Sequence, residues 1–382
     1  MLEGGRECLP GFDWRRPSSW KQGPAPMPAH KINWPDCAGR LAAALTREQL
    51  HPAVLAWAGV KPARRGPWAV AFSGGADSLA LLLLLWAHWP HRREKLVALH
   101  FNHRLRGRES NGDEAFCRQV CRGLGVRYFS ARWRAAHRGA SEAEARMARF
   151  GFFERKLRAI GCRVLWLGHQ QDDIAETIFM RLARGSGTVG LAAPRPLHAM
   201  HDGRVHLRPL LTLKKAQIAA GLRSAGGKWR EDATNAGNNF FRNRIRRTVL
   251  PAWRRAAGRD ALGGIALSRE LLEEDAAALE AWSADLYFPR GDGALDLRRL
   301  SGKPRAVIRR ALHRWLLARP EAAGLSRQGF ASLLASVEAG RATRHSLGAE
   351  SFAVIRRGHL EFERRRPARV LKEGRQIPRR SN

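Results

Sequence analysis

WAVAFSGGADSLALLLLLWAHW (residues 68–89) joins two apolar segments through a short stretch of small and polar residues. The first segment, 68–72, has the length of a strand, and the second, 77–89, has the length of a helix buried on most sides. Gly74 and Gly75 at the junction can adopt positive φ angles and carry no side chain that would block a close approach. The stretch therefore predicts a strand, a tight glycine turn and a buried helix.

Short apolar strands alternate with amphipathic helices after this point. The sequence predicts strands over 68–72, 96–101, 126–133 and 163–169, and helices over 77–89, 113–124, 142–160 and 173–182. Continuous apolar strands separated by helices predict an α/β fold with a doubly wound parallel sheet. Ligands bind at the carboxyl edge of such sheets, which is where the glycine turn would lie.

The turn itself, Ser-Gly-Gly-Ala-Asp-Ser over 73–78, has the composition of a phosphate site. Successive N–H groups and the N-terminus of the following helix attract anions. Ser73 and Ser78 add hydroxyl donors, and Asp77 supplies a carboxylate that could hold Mg²⁺ beside phosphates. The turn lacks the Gly-Lys-Ser/Thr of a Walker loop and the Gly-x-Gly-x-x-Gly of a dinucleotide site. A tight turn with no ligand is the alternative interpretation.

This turn resembles the PP-loop of the N-type ATP pyrophosphatases, which split ATP between its α and β phosphates and adenylate a substrate. Further ordered motifs are similar to those of the tRNA(Ile)-lysidine synthetase family: HFNHRLRGRES (100–110), SEAEARMARFGFF (141–153), LGHQQDDIAETIFMRLARGSGTVGL (167–191), LRPLL (207–211) and WREDATNAGNNFFRNRIRRTVLP (229–251). The resemblance is motif by motif over about 64–260 and weaker to about 365. It implies ATP and Mg²⁺ as cofactors, with ATP bound by Ser73, Gly74, Gly75, Ala76, Asp77 and Ser78.

The resemblance also implies a reaction. The enzyme would adenylate O2 of the wobble cytidine in the CAU anticodon of a minor tRNA(Ile), and the ε-amine of free L-lysine would then displace AMP to give lysidine. Two other functions stay open: tRNA thiolation by a related PP-loop enzyme, and tRNA binding without catalysis. Thiolation generally needs paired cysteines, which the sequence lacks. An intact turn and two well-placed carboxylates argue against an inactive loop.

Those carboxylates are Asp173 and Glu176, which would share one helix face at a strand's carboxyl end. Such a pair can bind an amine or accept its proton, whereas Asp172 has the simpler interpretation of an acidic residue that complements the helix dipole. The resemblance implies that Asp173 and Glu176 bind lysine with His169 nearby, and it leaves open which carboxylate takes the proton. Gln170, where the family often has a second histidine, receives no role.

Arginines form the remaining predicted site residues. Arg146 and Arg149 lie three apart on one helix, where a solvated basic face is the simple interpretation. The resemblance points to Arg146 as the guanidinium that stabilises phosphate charge during adenyl transfer. The residues implied in catalysis are thus Asp77, Arg146, Asp173 and Glu176.

A basic, aromatic segment suggests contact with RNA. NNFFRNRIRR places Phe240 and Phe241 beside four arginines, so the rings could stack on bases or pack inward. The arginines predicted to contact tRNA are Arg184, Arg242, Arg244, Arg246 and Arg247.

Composition bounds the class of protein. The 382 residues carry 68 Lys and Arg against 34 Asp and Glu, a net charge of +34 that predicts a polyanionic partner or, more simply, a solvated basic surface. Five scattered cysteines, no secretory signal and no apolar run of about 20 residues predict a cytoplasmic protein that does not bind membranes. The oligomeric state stays open, with a homodimer as one alternative.

The predicted organisation has four parts: an N-terminal extension with one helix over 1–63, the catalytic domain over 64–260, a smaller, mainly helical tRNA-binding domain with a terminal hairpin over 261–365, and a basic tail over 366–382.

Overall fold

The structure is a computed structural model that describes residues 32–60, 66–104, 108–137, 139–200, 202–231, 240–286, 293–319, 322, 324–348 and 350–364. The predicted basic tail and the first 31 residues of the extension lie outside the described residues. The chain divides into two compact units, Met1–Glu273 and Glu274–Asn382. The division falls within one helix, Ala261–Leu286, whereas the sequence places a boundary at 260. The predicted domain boundaries stay predictions.

The first unit is built on a mostly parallel sheet of six strands. The strands are β1 (Trp68–Ala71), β2 (Leu96–Asn102), β3 (Arg127–Arg132), β4 (Val164–Trp166), β5 (Leu197–Ala199) and β6 (Val205–Leu207). Their order is β3-β2-β1-β4-β6-β5, and only β5 pairs antiparallel. The chain winds outward from β1 to β3 and returns to β4, so the winding direction reverses between β1 and β4. The doubly wound α/β fold predicted from the sequence is confirmed.

Helices precede, separate and follow these strands along the chain. They are α1 (Trp34–Ala44), α2 (Pro52–Gly59), α3 (Ala76–His88), α4 (Arg108–Leu124), α5 (Glu142–Ala159), α6 (Gln171–Leu182), α7 (Thr188–Leu191), α8 (Lys215–Ser224), α9 (Phe241–Arg244), α10 (Leu250–Ala257) and α11 (Ala261–Leu286). A π-helical turn over Ile245–Val249 joins α9 to α10. Between residues 32 and 60, the part of the N-terminal segment that the structure describes, there are two α-helices where the sequence predicts one, because Pro52 starts a second.

Alternate residues of the strands enter two separate apolar cores, as the period of a strand requires. Trp68 and Val70 pack in one core with residues of α1, α3, α4 and α8, while Ala69 packs in the other with Phe152 and Leu157 of α5. Residues 78–85 of α3 are all buried, which confirms the prediction for the leucine run. A parallel sheet covered on both faces leaves its strand ends as the place for a ligand.

β4 is shorter than the strand predicted over 163–169. It ends at Trp166, although Leu167 N still donates to Leu207 O at 2.8 Å. The residues that follow turn at once into α6, which begins at Gln171. This early turn carries the 167–176 motif toward the start of α3.

The second unit combines helices with a small sheet. It contains β7 (Leu295–Asp296), α12 (Arg305–Leu317), α13 (Arg327–Glu338), β8 (Thr343–Gly348), β9 (Ser351–Arg356) and β10 (His359–Arg364). The strands form an antiparallel sheet in the order β7-β10-β9-β8. The predicted terminal hairpin is therefore a three-stranded meander that β7 extends. Trp315 and Leu333, on α12 and α13, fill the core against Leu360 of β10.

None of the helices described is both long and apolar enough to span a bilayer.

Candidate active site

Gly74 gives the glycine turn a backbone conformation that favours glycine, whereas Gly75 has an ordinary φ of −72°. Gly74 has a φ of +90°, and a Cβ there would lie 3.0 Å from Cys117 Sγ and 3.3 Å from Phe116. Gly75 is the N-cap of α3, and as a glycine it offers no side chain to cap the first N–H groups of that helix. Because the first N–H groups of a helix have no partner within it, this helix end can receive an anion.

The two serines of the turn differ in role. Ser78 is buried, accepts from Ser73 N at 3.2 Å and donates to Gly75 O at 3.0 Å. Ser73 is exposed, with its Oγ 3.0 Å from Ser78 Oγ. Ser78 therefore braces the turn, and Ser73 is the serine whose hydroxyl can reach a ligand.

Asp77 lies where the turn meets the next motif. Burial, and next the charge of Asp173, raise its pKa to about 7. Its Oδ1 is buried and has no hydrogen-bond partner among the described residues. The backbones at Gly168 and Asp77 lie close together, since a Cβ added to Gly168 would be 3.0 Å from Asp77 O. The strand exits of β1 and β4 thus bring Asp77 and Asp173 into one electrostatic cluster.

Asp173 and Glu176 are fixed at the start of α6. Gln170 is the N-cap of α6: its side chain accepts from Asp172 N at 2.6 Å, and its own N–H donates to Asp173 Oδ2 at 2.9 Å. Asp173 and Glu176 are buried on the same helix face, as predicted. Gln170, which received no role from the sequence, orients this motif.

Two arginines from the basic, aromatic segment NNFFRNRIRR form ion pairs with these carboxylates. Arg242 donates through Nη2 to Asp173 Oδ1 and through Nε to Glu176 Oε2, both at 2.6 Å. Arg246 donates to both oxygens of Glu176. The sequence predicts these arginines as tRNA contacts and the carboxylates as lysine contacts, and the structure joins the two sets.

The pairing separates the pKa values of the two carboxyl groups. Burial raises the pKa of Asp173, and the nearby Arg242 offsets this only in part. Burial also acts on Glu176, but hydrogen bonds and charge from Arg246 and Arg242 outweigh it and lower the pKa. Glu176 is thus held ionised, whereas Asp173 takes up a proton more readily.

A set of guanidinium groups surrounds His169. Arg208 Nε donates to His169 Nδ1 at 3.1 Å. Burial, followed by the charges of Arg208, Arg242, Arg146 and Arg149, holds the pKa of His169 well below its ordinary value. Arg146 is exposed, and its guanidinium carbon lies 4.7 Å from the centroid of the Phe150 ring. This side of the site favours an anion, and the carboxylate side favours a cation.

The other predicted RNA contacts lie on the surface. Arg184, Arg244 and Arg247 are exposed. Phe241 packs against the core around Ala175, which supports inward packing for that ring. Asp172 accepts from Lys215 N at 3.0 Å at the start of α8, in keeping with its simpler interpretation.

Arg208 and Arg230 belong to the site but were not predicted from the sequence, although both lie within the quoted motifs. Arg208, in LRPLL, contacts His169. Arg230, in WRED, donates its N–H to Gly74 O at 3.0 Å and pairs with Asp113 at 2.8 Å. The only signal for either was an arginine inside a matched motif, because their partners are distant in the sequence.

The donor set suits a metal held jointly with a ligand. Within the described ranges, no group of three or more His, Cys, Asp or Glu side chains is arranged to bind a metal alone. Mg²⁺ usually retains several waters and binds one or two carboxylates together with phosphates. The buried, unpartnered oxygen of Asp77 fits that mode.

Comparison with known proteins places this site in context. A family model described as a PP-loop domain matches residues 52–253. The tRNA(Ile)-lysidine synthase of Solibacter usitatus is 45% identical over 183 residues, covering 48% of this chain and 40% of that protein. The tRNA(Ile)-lysidine synthase of Geobacter sulfurreducens is 37% identical over 263 residues, covering 65% of this chain and 54% of that protein. The chain spans about half the length of the curated relatives it matches.

Among solved structures, the U34-tRNA thiolase NcsA from Methanococcus maripaludis overlaps with a TM-score of 0.47 at 17% identity, covering 62% of this chain and 78% of that one. This overlap is too loose to bear on function.

Proposed function

The chain belongs to the PP-loop domain family, and from that premise we propose that it is an ATP-dependent ligase that joins free lysine to the wobble cytidine of a CAU-anticodon tRNA(Ile). The observation that carries the proposal is the junction of Asp77, in the phosphate turn, with Asp173, in the acidic motif. An activating nucleotide and an amine nucleophile would then meet at one strand edge. The names of the curated relatives supply the substrate.

The first step would activate the cytidine. Its O2 attacks the α-phosphorus of ATP, the bond from that phosphorus to the bridging oxygen breaks, and pyrophosphate leaves. N–H groups at the start of α3 and the exposed guanidinium of Arg146 would stabilise the phosphate charge in this step. Mg²⁺, bound by Asp77 with phosphate oxygens, would supply further charge neutralisation when present.

The second step would transfer lysine. The ε-amine attacks C2 of the activated base, and AMP leaves with the electrons of the C2–O2 bond. A lysine ammonium must first lose a proton, and Asp173, with its raised pKa, is the better acceptor. Glu176, held ionised by two guanidiniums, would attract and orient the amine. Arg242 and Arg246 would have to share these oxygens with the incoming amine or release them.

The tRNA would be held through its phosphates. Arg184, Arg244 and Arg247 are exposed and of the right charge for that contact. The wobble base would have to leave its stack to reach the turn, as bases do in other enzymes that modify them.

One incubation tests the proposal. The protein is mixed with a CAU-anticodon tRNA(Ile) transcript, ATP and labelled lysine, and AMP release is followed together with the mass of the anticodon fragment. Label in the RNA and a mass gain of one lysine residue at the wobble cytidine support the ligase. Tight tRNA binding without either product would favour the inactive binder.

Thiolation is disfavoured by the described cysteines. Cys37, Cys117, Cys121 and Cys162 are all buried. Burial raises the pKa of each thiol, to about 12 for Cys121. A thiol in such surroundings is a poor nucleophile and a poor ligand for a cluster.

A further inference from the structure

One contact in the site allows a single arrangement of protons. Arg208 Nε lies 3.1 Å from His169 Nδ1. A guanidinium has five N–H donors and no acceptor, so Nδ1 must supply the lone pair. A histidine that accepts at Nδ1 and is neutral carries its proton on Nε2.

Arg208 is rigidly held in this position. Its side chain is buried, with 7% of the residue exposed. Its own N–H donates to Pro196 O at 2.8 Å, and Nη1 donates to Arg195 O at 2.7 Å. Burial lowers the pKa of the guanidinium to about 10, which leaves it charged at neutral pH. The donor is therefore fixed in both place and protonation.

The charges around His169 oppose its protonation. After burial, the largest effects on its pKa come from the guanidiniums of Arg208, Arg242, Arg146 and Arg149, all of them cationic. A second proton on the ring would add a fifth positive charge to a buried site. These surroundings suit an anion beside the ring, while the carboxylates of Asp173 and Glu176 are paired with Arg242.

We propose that Arg208 is a positioning residue that holds His169 as the neutral tautomer with its proton on Nε2, so that His169 donates to an anionic oxygen of the substrate, the α-carboxylate of lysine. The identity of that ligand rests on the proposed function, whereas the tautomer does not. The resemblance implies only that His169 lies near the bound lysine, and this proposal assigns it to the carboxylate end of that substrate. The site is divided by charge, with an acceptor for ammonium on α6 and a donor for carboxylate at the exit of β4.

The tautomer is testable in the wild-type protein without substrate. Long-range ¹H–¹⁵N correlation on ¹⁵N-histidine-labelled protein reports the protonation of each ring nitrogen, and the signal absent from His169→Gln identifies His169 among the 14 histidines. We expect an unprotonated Nδ1 and a protonated Nε2 from pH 6 to pH 8. A proton on Nδ1, or a doubly protonated ring at neutral pH, would overturn the proposal whatever the activity of the enzyme.

Variants at Arg208 add a second reading. Arg208→Met removes the donor, so the ring should populate both tautomers and its pKa should rise. Arg208→Lys retains a charged donor and should keep more of the wild-type tautomer. If Arg208→Met folds with the same single tautomer as wild type, then Arg208 does not position the ring. If it does not fold, the Arg208→Lys comparison and the wild-type spectrum still decide.

Kinetics distinguish the ligand. His169→Gln retains an N–H donor near Nε2 and should keep the KM for lysine within about threefold, whereas His169→Leu should raise it about tenfold to a hundredfold. Lysinamide, which has no carboxylate, should not discriminate between the two variants. His198→Leu, on the exposed face of β5, is the matched control. If His169→Leu no longer released pyrophosphate, His169 Nε2–H would donate to an oxygen of the nucleotide or the base. The assignment of this donor to the α-carboxylate of lysine would then be wrong.

Discussion

Two carboxyl groups one helical turn apart acquire opposite properties from their neighbours. Glu176 accepts from Arg242 and Arg246 and has a lowered pKa, while Asp173 pairs with Arg242 and has a raised pKa. The sequence predicted both as equivalent candidates for the amine proton. Only the partners, which come from a distant segment, distinguish a fixed charge from a group that can exchange a proton.

Isosteric amides at these positions should therefore fail differently. Asp173→Asn removes the proton acceptor and should lower lysine transfer about a hundredfold or more, with pyrophosphate release retained. Glu176→Gln leaves two guanidiniums without their shared anion and should lower the free energy of unfolding by about 3 kcal/mol. Urea unfolding and single-turnover lysine transfer measure the two effects. Full transfer activity in Asp173→Asn would refute the amine site.

Asp77 should make stability depend on pH. Its pKa is about 7 in the folded protein and about 3.9 in an unfolded chain, so between these values the unfolded state loses the proton first. Folding stability from this group therefore falls as pH rises from about 4 to about 7. In urea unfolding at pH 8, Asp77→Asn should have a free energy of unfolding about 1–3 kcal/mol higher than wild type. Near pH 4 the two proteins should differ little.

The matched substitution Asp275→Asn, at an exposed position of α11, is the control for that measurement. A constant difference between Asp77→Asn and wild type across the pH range would show that the carboxyl is not shifted.

At the scale of elements, the site is a meeting of two helix N-termini. α3 follows β1 through the glycine turn, and α6 follows β4 through Gly168 to Gln170. β1 and β4 are neighbours in the sheet, at the point where the winding direction reverses. The distance between the two helix starts therefore depends on a backbone contact at Gly168.

A methyl group at Gly168 should separate them. The Cβ of Gly168→Ala would lie 3.0 Å from Asp77 O and 3.1 Å from Asp77 C, both backbone atoms that cannot turn aside. We expect the KM for ATP to rise about tenfold, as a loss of about 1.4 kcal/mol in binding implies. Gly187→Ala, whose Cβ meets nothing within 4 Å, is the matched control. Equal ATP affinity in both variants would remove Gly168 from the site's architecture.

At the scale of the molecule, charge dominates. A net charge of +34 far exceeds what a small anionic substrate needs, but it suits a folded RNA. Some of the positive charge lies inside the protein, because Arg242 and Arg246 form ion pairs with buried carboxylates. The remaining exposed arginines are the ones available to phosphates.

The salt dependence of tRNA binding should identify them. Each arginine that contacts a phosphate contributes about one unit to the slope of log Kd against log salt concentration. Arg244→Gln and Arg247→Gln should each lower that slope by about one, while Arg122→Gln, exposed on α4, should leave it unchanged. The measurement is tRNA binding by fluorescence anisotropy over a salt series. An equal loss in Arg122→Gln would mean that charge acts without a defined interface.

The sequence alone determined the sheet, the glycine turn and the helix that follows it, because strand and helix periods and the need for positive φ at Gly74 are properties of neighbouring residues. It also identified Asp173 and Glu176 as a pair on one helix face. The tertiary structure alone decided their partners, their pKa values and the tautomer of His169. Arg242 and Arg246 lie 66 to 70 positions from the carboxylates they contact, and Arg208 lies 39 positions from His169. Coulombic and hydrogen-bond energies depend on distance in space, and only the fold sets that distance.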